Sequence, residues 1–430
     1  VNQREQVGYR WGNKVCEYLV RERDIPILPL QKPYMRFIPS PRLLTYGFRL
    51  AQPKDLGRVL KLGQELALYL GTSSCRIARY FGEVLIEIPL PSHLWKELYI
   101  TDMEAGGGMN VTLGYTSLMS PVKCRVNSDS VAPILVAGRI GCGKTETLRT
   151  IMWQLANQNQ PDASVTADAL QFVVYDPKNK FGELDRLPHL AMPILRRQNE
   201  GTMAVCWLLK QLYDRMDAGI NKPRLMFCVD ELIMLLSNNN LCFDGIGRLA
   251  SLGREYGIHM MLATQRPDRK YMDKLSAANI GLRLIGRVSD SVESKVACGM
   301  GGVGANLLSG KGDFVAVVDS SAAHRLQIGL TPEGAIDALP KLEQPPAPIE
   351  ETYDLKVLLG LRSLSQNEVE MAPFSPEELA TSLTGIGIVK LKQRLRMGQP
   401  RATRLRNDWA IPMVDKLDEL GYMVVRKDAA

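Results

Sequence analysis

An α/β fold built on a parallel sheet is what this sequence predicts, and three observations predict it. From about residue 106 to 340, short apolar runs alternate with helical patterns, the rhythm of strands joined by crossover helices. One junction, residues 138–145, reads GRIGCGKT. A later apolar run, LMFCV, ends in two adjacent carboxylates, Asp230 and Glu231.

Taken in chain order, residues 1–105 read as a small α+β domain. Leu56, Val59, Leu60, Leu66 and Leu70 recur at helical spacing, so a helix is expected over 56–70, closed by Gly71. Strands are expected at 75–77 and 84–88. Residues 106–341 form the α/β domain, with strands expected at 134–137, 172–175, 225–229, 259–263, 282–286 and 313–318. Residues 342–372 read as a linker, Pro-rich and acidic at its start (LEQPPAPIEETYD). Residues 373–430 read as a small basic terminal domain.

Composition narrows the class. The 430 residues suggest two to four domains, and 45% hydrophobic against 23% charged residues excludes a disordered or collagen-like chain. No run approaches the ~20 apolar residues of a membrane span, and the N-terminal residues lack a secretory pattern. Eight scattered cysteines without a C-x-x-C pair fit reduced thiols, so a cytoplasmic location is expected. The net charge is 53 − 46 = +7, and 390–406 (KLKQRLRMGQPRATRLR) holds seven basic residues and no acidic one. The whole excess therefore sits in Lys390, Lys392, Arg394, Arg396, Arg401, Arg404 and Arg406, the footprint of a nucleic-acid contact.

The chemistry of the motifs points to a nucleotide. GRIGCGKT matches G-x-x-x-x-G-K-[ST] and lies between an apolar run and a helical pattern, the setting that a phosphate-binding loop requires. Gly138, Gly141, Cys142, Gly143, Lys144, Thr145 and Glu146 are the expected nucleotide contacts. Lys144 would reach the β- and γ-phosphates and Thr145 would hold Mg²⁺. Asp230 would share the Mg²⁺, and Glu231 would orient or deprotonate the attacking water. Gln265, in HMMLATQRP, is expected at a strand tip near the γ-phosphate. ATP and Mg²⁺ are the cofactors implied, and no other metal is.

Several segments together resemble the motor of FtsK/HerA-type DNA translocases. They are VAGRIGCGKTETL, FVVYDPKNKFGELDRLPHL, CVDELIMLL, IGRLASLGREYGIHMMLATQRP and LLSGKGDF, in that order. The small N-terminal part is similar to the domain stacked before that motor, and KLKQRLRMGQPRATRL resembles its winged-helix domain. The resemblance implies a RecA-like P-loop ATPase core, a ring that is usually a homohexamer, and ATP between subunits. It also implies double-stranded DNA as partner, and a neighbour's arginine at the site. By motif position that arginine is Arg254, with Arg287 second. Asp176 and Lys178 match the family's Asp-Pro-Lys and are given a site-lining role. Ala277 stands where the family commonly has a pore lysine, and Arg269, Lys270 and Lys274 are the nearby substitutes for DNA contact. The expected activity is ATP-dependent translocation along duplex DNA. The alternatives are a nucleotide-switched DNA-binding module, or a packaging or conjugative-transfer motor of a mobile element or phage.

Overall fold

The computed structural model describes residues 2–28, 36–80, 82–100, 108–159, 170–237, 239–269, 272, 280–318, 322–349 and 353–360. The expected winged-helix domain at 373–430 lies outside these residues, as do Lys270, Lys274 and all seven basic residues of 390–406. The chain divides into two compact units, residues 1–350 and 351–430. In the second unit, the described residues hold a short helix, Leu355–Leu358, capped by the Asp354 carboxylate.

The first unit opens with α1 (Gln3–Glu17), whose buried face mixes Arg4, Gly8, Trp11, Gly12 and Val15. That face carries too few large apolar residues for hydrophobic periodicity to reveal it. Then come β1 (Ile27–Leu28), β2 (Arg36–Pro39) and β3 (Leu43–Leu50), followed by α2 (Leu56–Val59) and α3 (Gly63–Leu70). The single helix expected over 56–70 is thus two helices. At Gly63 an added Cβ would come within 2.7 Å of the Cys75 carbonyl, so the chain turns there against its neighbour and restarts. α3 ends at Gly71 in the left-handed conformation, as the sequence indicates. β4 (Arg76–Tyr80) and β5 (Glu83–Pro89) complete an antiparallel five-stranded sheet ordered β1-β3-β5-β4, with β2 beside β3. Its core gathers Trp11, Leu19, Tyr46, Phe48, Leu66 and Ile86.

The second layer of the unit is a nine-stranded sheet. It begins with β6 (Asn110–Thr116), β7 (Pro121–Arg125) and β8 (Ile134–Ala137). α4 (Lys144–Gln158), β9 (Leu170–Tyr175), α5 (Gln198–Ala218) and β10 (Arg224–Val229) follow. Next are α6 (Leu232–Leu236), α7 (Asn240–Leu252), β11 (Ile258–Thr264) and β12 (Leu282–Ile285). A helix at Ser291–Cys298, β13 (Asp313–Val318) and β14 (Ala322–Ile328) end the layer. The order is β7-β6-β14-β13-β12-β8-β11-β10-β9.

The parallel sheet expected from the sequence is therefore only part of it. Strands β12, β8, β11, β10 and β9 are parallel, whereas β13, β14, β6 and β7 add antiparallel partners. Only three residues separate β13 from β14, too few for the crossover that a parallel pairing needs, and the two pair antiparallel. The parallel strands are apolar throughout because helices cover both faces. Val136, Val174, Cys228, Met261 and Leu284 share one continuous core with Leu148, Ile151 and Leu155 of α4. Among the described residues no helix is long and apolar enough to cross a membrane.

Candidate nucleotide site

Four neighbouring parallel strands deliver the sequence-predicted residues to one edge of the sheet. β8 ends at Ala137 and runs into the phosphate loop, which feeds α4 with Gly143 as its N-terminal cap. The loop is held at both sides: the Gly138 amide donates to Thr264 O at 3.2 Å and the Arg139 amide to Arg287 O at 2.8 Å. A second loop closes on it from β13, with the Gly312 amide donating to Cys142 O at 2.6 Å and the Lys311 amide to Gly141 O at 3.2 Å. Gly143, at φ 110°, disfavours a side chain, because its Cβ would meet the Gly312 nitrogen at 3.0 Å. The loop is thus shaped by the fold before any phosphate arrives.

Lys144 is buried and folds back on the loop, its Nζ donating to Gly138 O at 2.7 Å and Arg139 O at 3.1 Å. Burial lowers its pKa below the usual lysine value, so an anion at this position meets a cation with little competing hydration. The Thr145 hydroxyl donates to Asp230 Oδ1 at 2.8 Å, joining two residues 85 apart in the chain. Burial raises the Asp230 carboxyl above its usual range, opposed by that Thr145 bond and reinforced by Asp176. Beside it, Glu231 accepts from Lys178 Nζ at 2.7 Å and from the Gln265 amide at 3.2 Å. Strand register explains the meeting. Val229 of β10 is level with Leu262 of β11, so Glu231 lies level with Thr264 and next to Gln265. Asp176 arranges the loop carrying Lys178, its carboxylate accepting from the Lys178 amide at 3.2 Å and the Phe181 amide at 2.8 Å.

These groups border a cavity of about 630 Å³ lined by Gly141, Gly143, Lys144, Thr145, Glu146, Asp230 and Gln265. Gly138 and Cys142 stand behind its wall: the Cys142 side chain is buried, and burial pushes its thiol up, away from reactivity. Glu146 is ion-paired with Arg149. The lining also includes residues that the motifs did not flag as contacts, namely Arg42, Lys180 and Lys311, together with Lys178. Five cations therefore face two carboxylates, an excess suited to a polyphosphate. Arg42 and Lys311 carry no local motif, and only the fold brings them together across 269 residues.

Arg254 stands elsewhere. It precedes the amino end of β11 and pairs with Asp129 at 3.0 Å, ahead of the amino end of β8. The phosphate loop leaves the opposite end, roughly 20 Å away at the rise of a strand. Arg287 follows β12 on the loop side and is exposed. Arg269 is exposed beyond β11. His259 is buried in β11. Its Nδ1 has no hydrogen-bond partner among the described residues, and burial lowers its pKa to about 4. No cluster of three His, Cys, Asp or Glu side chains that could hold a metal occurs among the described residues.

Comparison with known proteins bears out the resemblance read from the motifs. The model of the FtsK/SpoIIIE family matches residues 109–218. DNA translocase FtsK of Leptospira interrogans serogroup Icterohaemorrhagiae serovar copenhageni is 26% identical over 295 residues, 60% of this chain and 30% of that protein. DNA translocase SftA of Bacillus subtilis is 24% identical over 383 residues, 81% of this chain and 39% of its own length. The chain thus spans about a third of the length of the curated relatives it matches. Among solved structures, the pCW3 conjugation coupling protein TcpA, a monomer form with ATPgS, aligns at 19% identity and a TM-score of 0.47. That alignment covers 76% of this chain and 95% of TcpA.

Proposed function

We propose, with the FtsK/SpoIIIE character of residues 109–218 as the premise, that this chain is a P-loop ATPase whose turnover drives movement along double-stranded DNA. One observation carries the reading: the phosphate loop, the Thr145–Asp230 pair, and Lys178 and Gln265, which both donate to Glu231 just behind them, border a single cation-rich cavity. The amides of 141–145 and the amino end of α4 hold the phosphates, and Lys144 exchanges its carbonyl partners for phosphate oxygens. Thr145 and Asp230 would hold Mg²⁺, since a hydroxyl and a carboxylate beside a triphosphate are the hard oxygen donors it takes. Bound there, the ion would neutralise charge on the β- and γ-phosphates. Glu231 accepts a proton from the attacking water, and Gln265 holds that water or the γ-phosphate.

In this reading Arg254 serves the nucleotide of a neighbouring copy in a homohexameric ring, because its own phosphate loop lies at the far end of the strands; Arg287 is second. An arginine supplied in this way stabilises transition-state charge and makes turnover depend on assembly. DNA contacts fall to Arg269, Lys270 and Lys274, and to Lys390, Lys392, Arg394, Arg396, Arg401, Arg404 and Arg406 in a winged-helix domain. The protein works in the cytoplasm. The test is ATP hydrolysis by the purified chain with and without linear duplex DNA, with Lys144→Ala as the blank. Stimulation by duplex that vanishes in the blank is expected; turnover indifferent to DNA would defeat the motor reading.

A further inference from the structure

The cavity has two ends that the sheet order separates. On one side of β8 stand β11 and β10, whose tips bring Gln265 and Asp230 to the phosphate end. On the other side, past β12 and β13, β14 leads into Ile328 and Leu330, which line the cavity with Arg42, while Lys311 and Gly312 stand between them and the phosphate loop, to which their amides are hydrogen-bonded. Ile328 and Leu330 run beside α4, where the Thr150 hydroxyl donates to Gly329 O at 3.1 Å, beyond the turn that carries Lys144. This end is apolar on its floor and cationic on its rim.

Arg42 is built into that rim. It sits just ahead of β3, in the N-terminal layer, and is only 8% exposed. It donates through Nη1 to Lys311 O, and its guanidinium lies 5.0 Å from the centre of the Trp95 ring. The Lys311 ammonium stands over the same ring at 5.6 Å. Trp95 is fixed in turn by its indole N–H, which donates to Leu90 O at 2.7 Å. Arg42 Nε has no hydrogen-bond partner among the described residues, although the side chain is buried. A buried guanidinium stacked on one aromatic ring, beside an open apolar floor, is a surface for a second flat ring.

We propose that Arg42, with Lys311, Ile328 and Leu330, forms the subsite for the nucleoside of the bound nucleotide, the purine ring and its ribose. The N-terminal layer then contributes directly to nucleotide recognition. The inference rests on the ATPase reading above and deepens it. The phosphate loop binds any polyphosphate, whereas Arg42 makes the site prefer one that carries a base.

The test compares ATPγS with inorganic tripolyphosphate, which has the phosphates and no nucleoside, by calorimetric titration in the presence of Mg²⁺. The variants are Arg42→Gln, which keeps a donor for Lys311 O but loses the guanidinium, and Lys311→Met, which reaches the same subsite from the core. Each variant removes one of the cavity's cations and so weakens both ligands, but it is expected to weaken ATPγS about tenfold more than tripolyphosphate. Retained tripolyphosphate binding also reports that the phosphate loop is folded. Equal weakening of both ligands, or of neither, would overturn the nucleoside subsite. If the unaltered chain binds neither ligand, the ATPase reading beneath it fails instead.

Discussion

Glu87→Gln is the substitution whose consequence the structure specifies most fully. Glu87 on β5 is buried and accepts from Arg76 Nη1 at 2.6 Å and from Arg325 Nη1 at 3.2 Å. Arg325 on β14 also grips Asp313, with contacts of 2.9 and 2.7 Å. Two cations and two carboxylates thus balance at the seam between the five-stranded and nine-stranded sheets. Removing one carboxylate leaves a buried net positive charge, a class of change that costs about 3–5 kcal/mol. The titration of Glu87 leads to a similar figure. Burial by itself would raise its pKa, but Arg76 and Arg325 outweigh burial and hold it at about 2, against 4.5 when free. That difference is worth about 3 kcal/mol. Because the folded value lies below the unfolded one, this stability is present above pH 4.5 and fades as the pH falls towards 2. Urea unfolding followed by tryptophan fluorescence checks it. The gap between the unaltered chain and Glu87→Gln is expected to shrink from about 3 kcal/mol at pH 7 to about 1 kcal/mol at pH 3. A variant as stable as the parent at pH 7, or a gap that does not close on acidification, would refute the account.

Other outcomes follow from the same geometry. Glu231→Gln is expected to bind ATP normally and to lose at least about a hundredfold in turnover, and Asp230→Ala to lose its Mg²⁺-dependent turnover. Single-turnover hydrolysis alongside nucleotide titration checks both, and an active Glu231 variant would remove that residue from its role. His259, with its pKa lowered by burial to about 4, favours the folded state above its unfolded value of 6.5 and loses that contribution as pH falls towards 4. Replacing it with leucine should flatten the stability profile between those values, measured by thermal melting. If all seven basic residues of 390–406 meet phosphates, neutralising them should make the log–log salt slope of duplex binding shallower by about six. A fluorescence-anisotropy salt series that leaves the slope unmoved would remove that segment from the DNA surface.

The phosphate loop and the acidic strand were legible because each is a local pattern with a fixed chemical purpose, and glycines at positive φ are hard to replace. The parallel strands were legible because burial on both faces makes them continuous apolar runs, as in Ile134–Ala137 and Ile258–Thr264. β14 escaped because its sequence, AAHRLQI, carries Arg325 and Gln327, buried polar residues satisfied by partners distant in the chain. α1 escaped for a related reason, since glycine takes the place of large apolar residues where the chain packs against Phe37 and Tyr46. Arg42 and Lys311 had no signal at all. An isolated arginine before a strand and a lysine in a glycine turn acquire meaning only when the fold brings them to one cavity.

The sheet edge also acts as a measuring block. The phosphate loop, Gln265, Asp230 with Glu231, and the Lys178 loop each begin directly beyond the last paired residue of β8, β11, β10 and β9. Adjacent strands lie about 4.8 Å apart, so three steps span about 14 Å, comparable to an extended triphosphate with its water. Each working group is mounted on a very short lever, and the hydrogen-bonded ladder sets the intervals between levers. A load that sheared β10 against β11 would move Glu231 relative to Gln265 with almost no slack to absorb it. Strain in the sheet and the geometry at the cleaved bond are therefore two readings of one gauge.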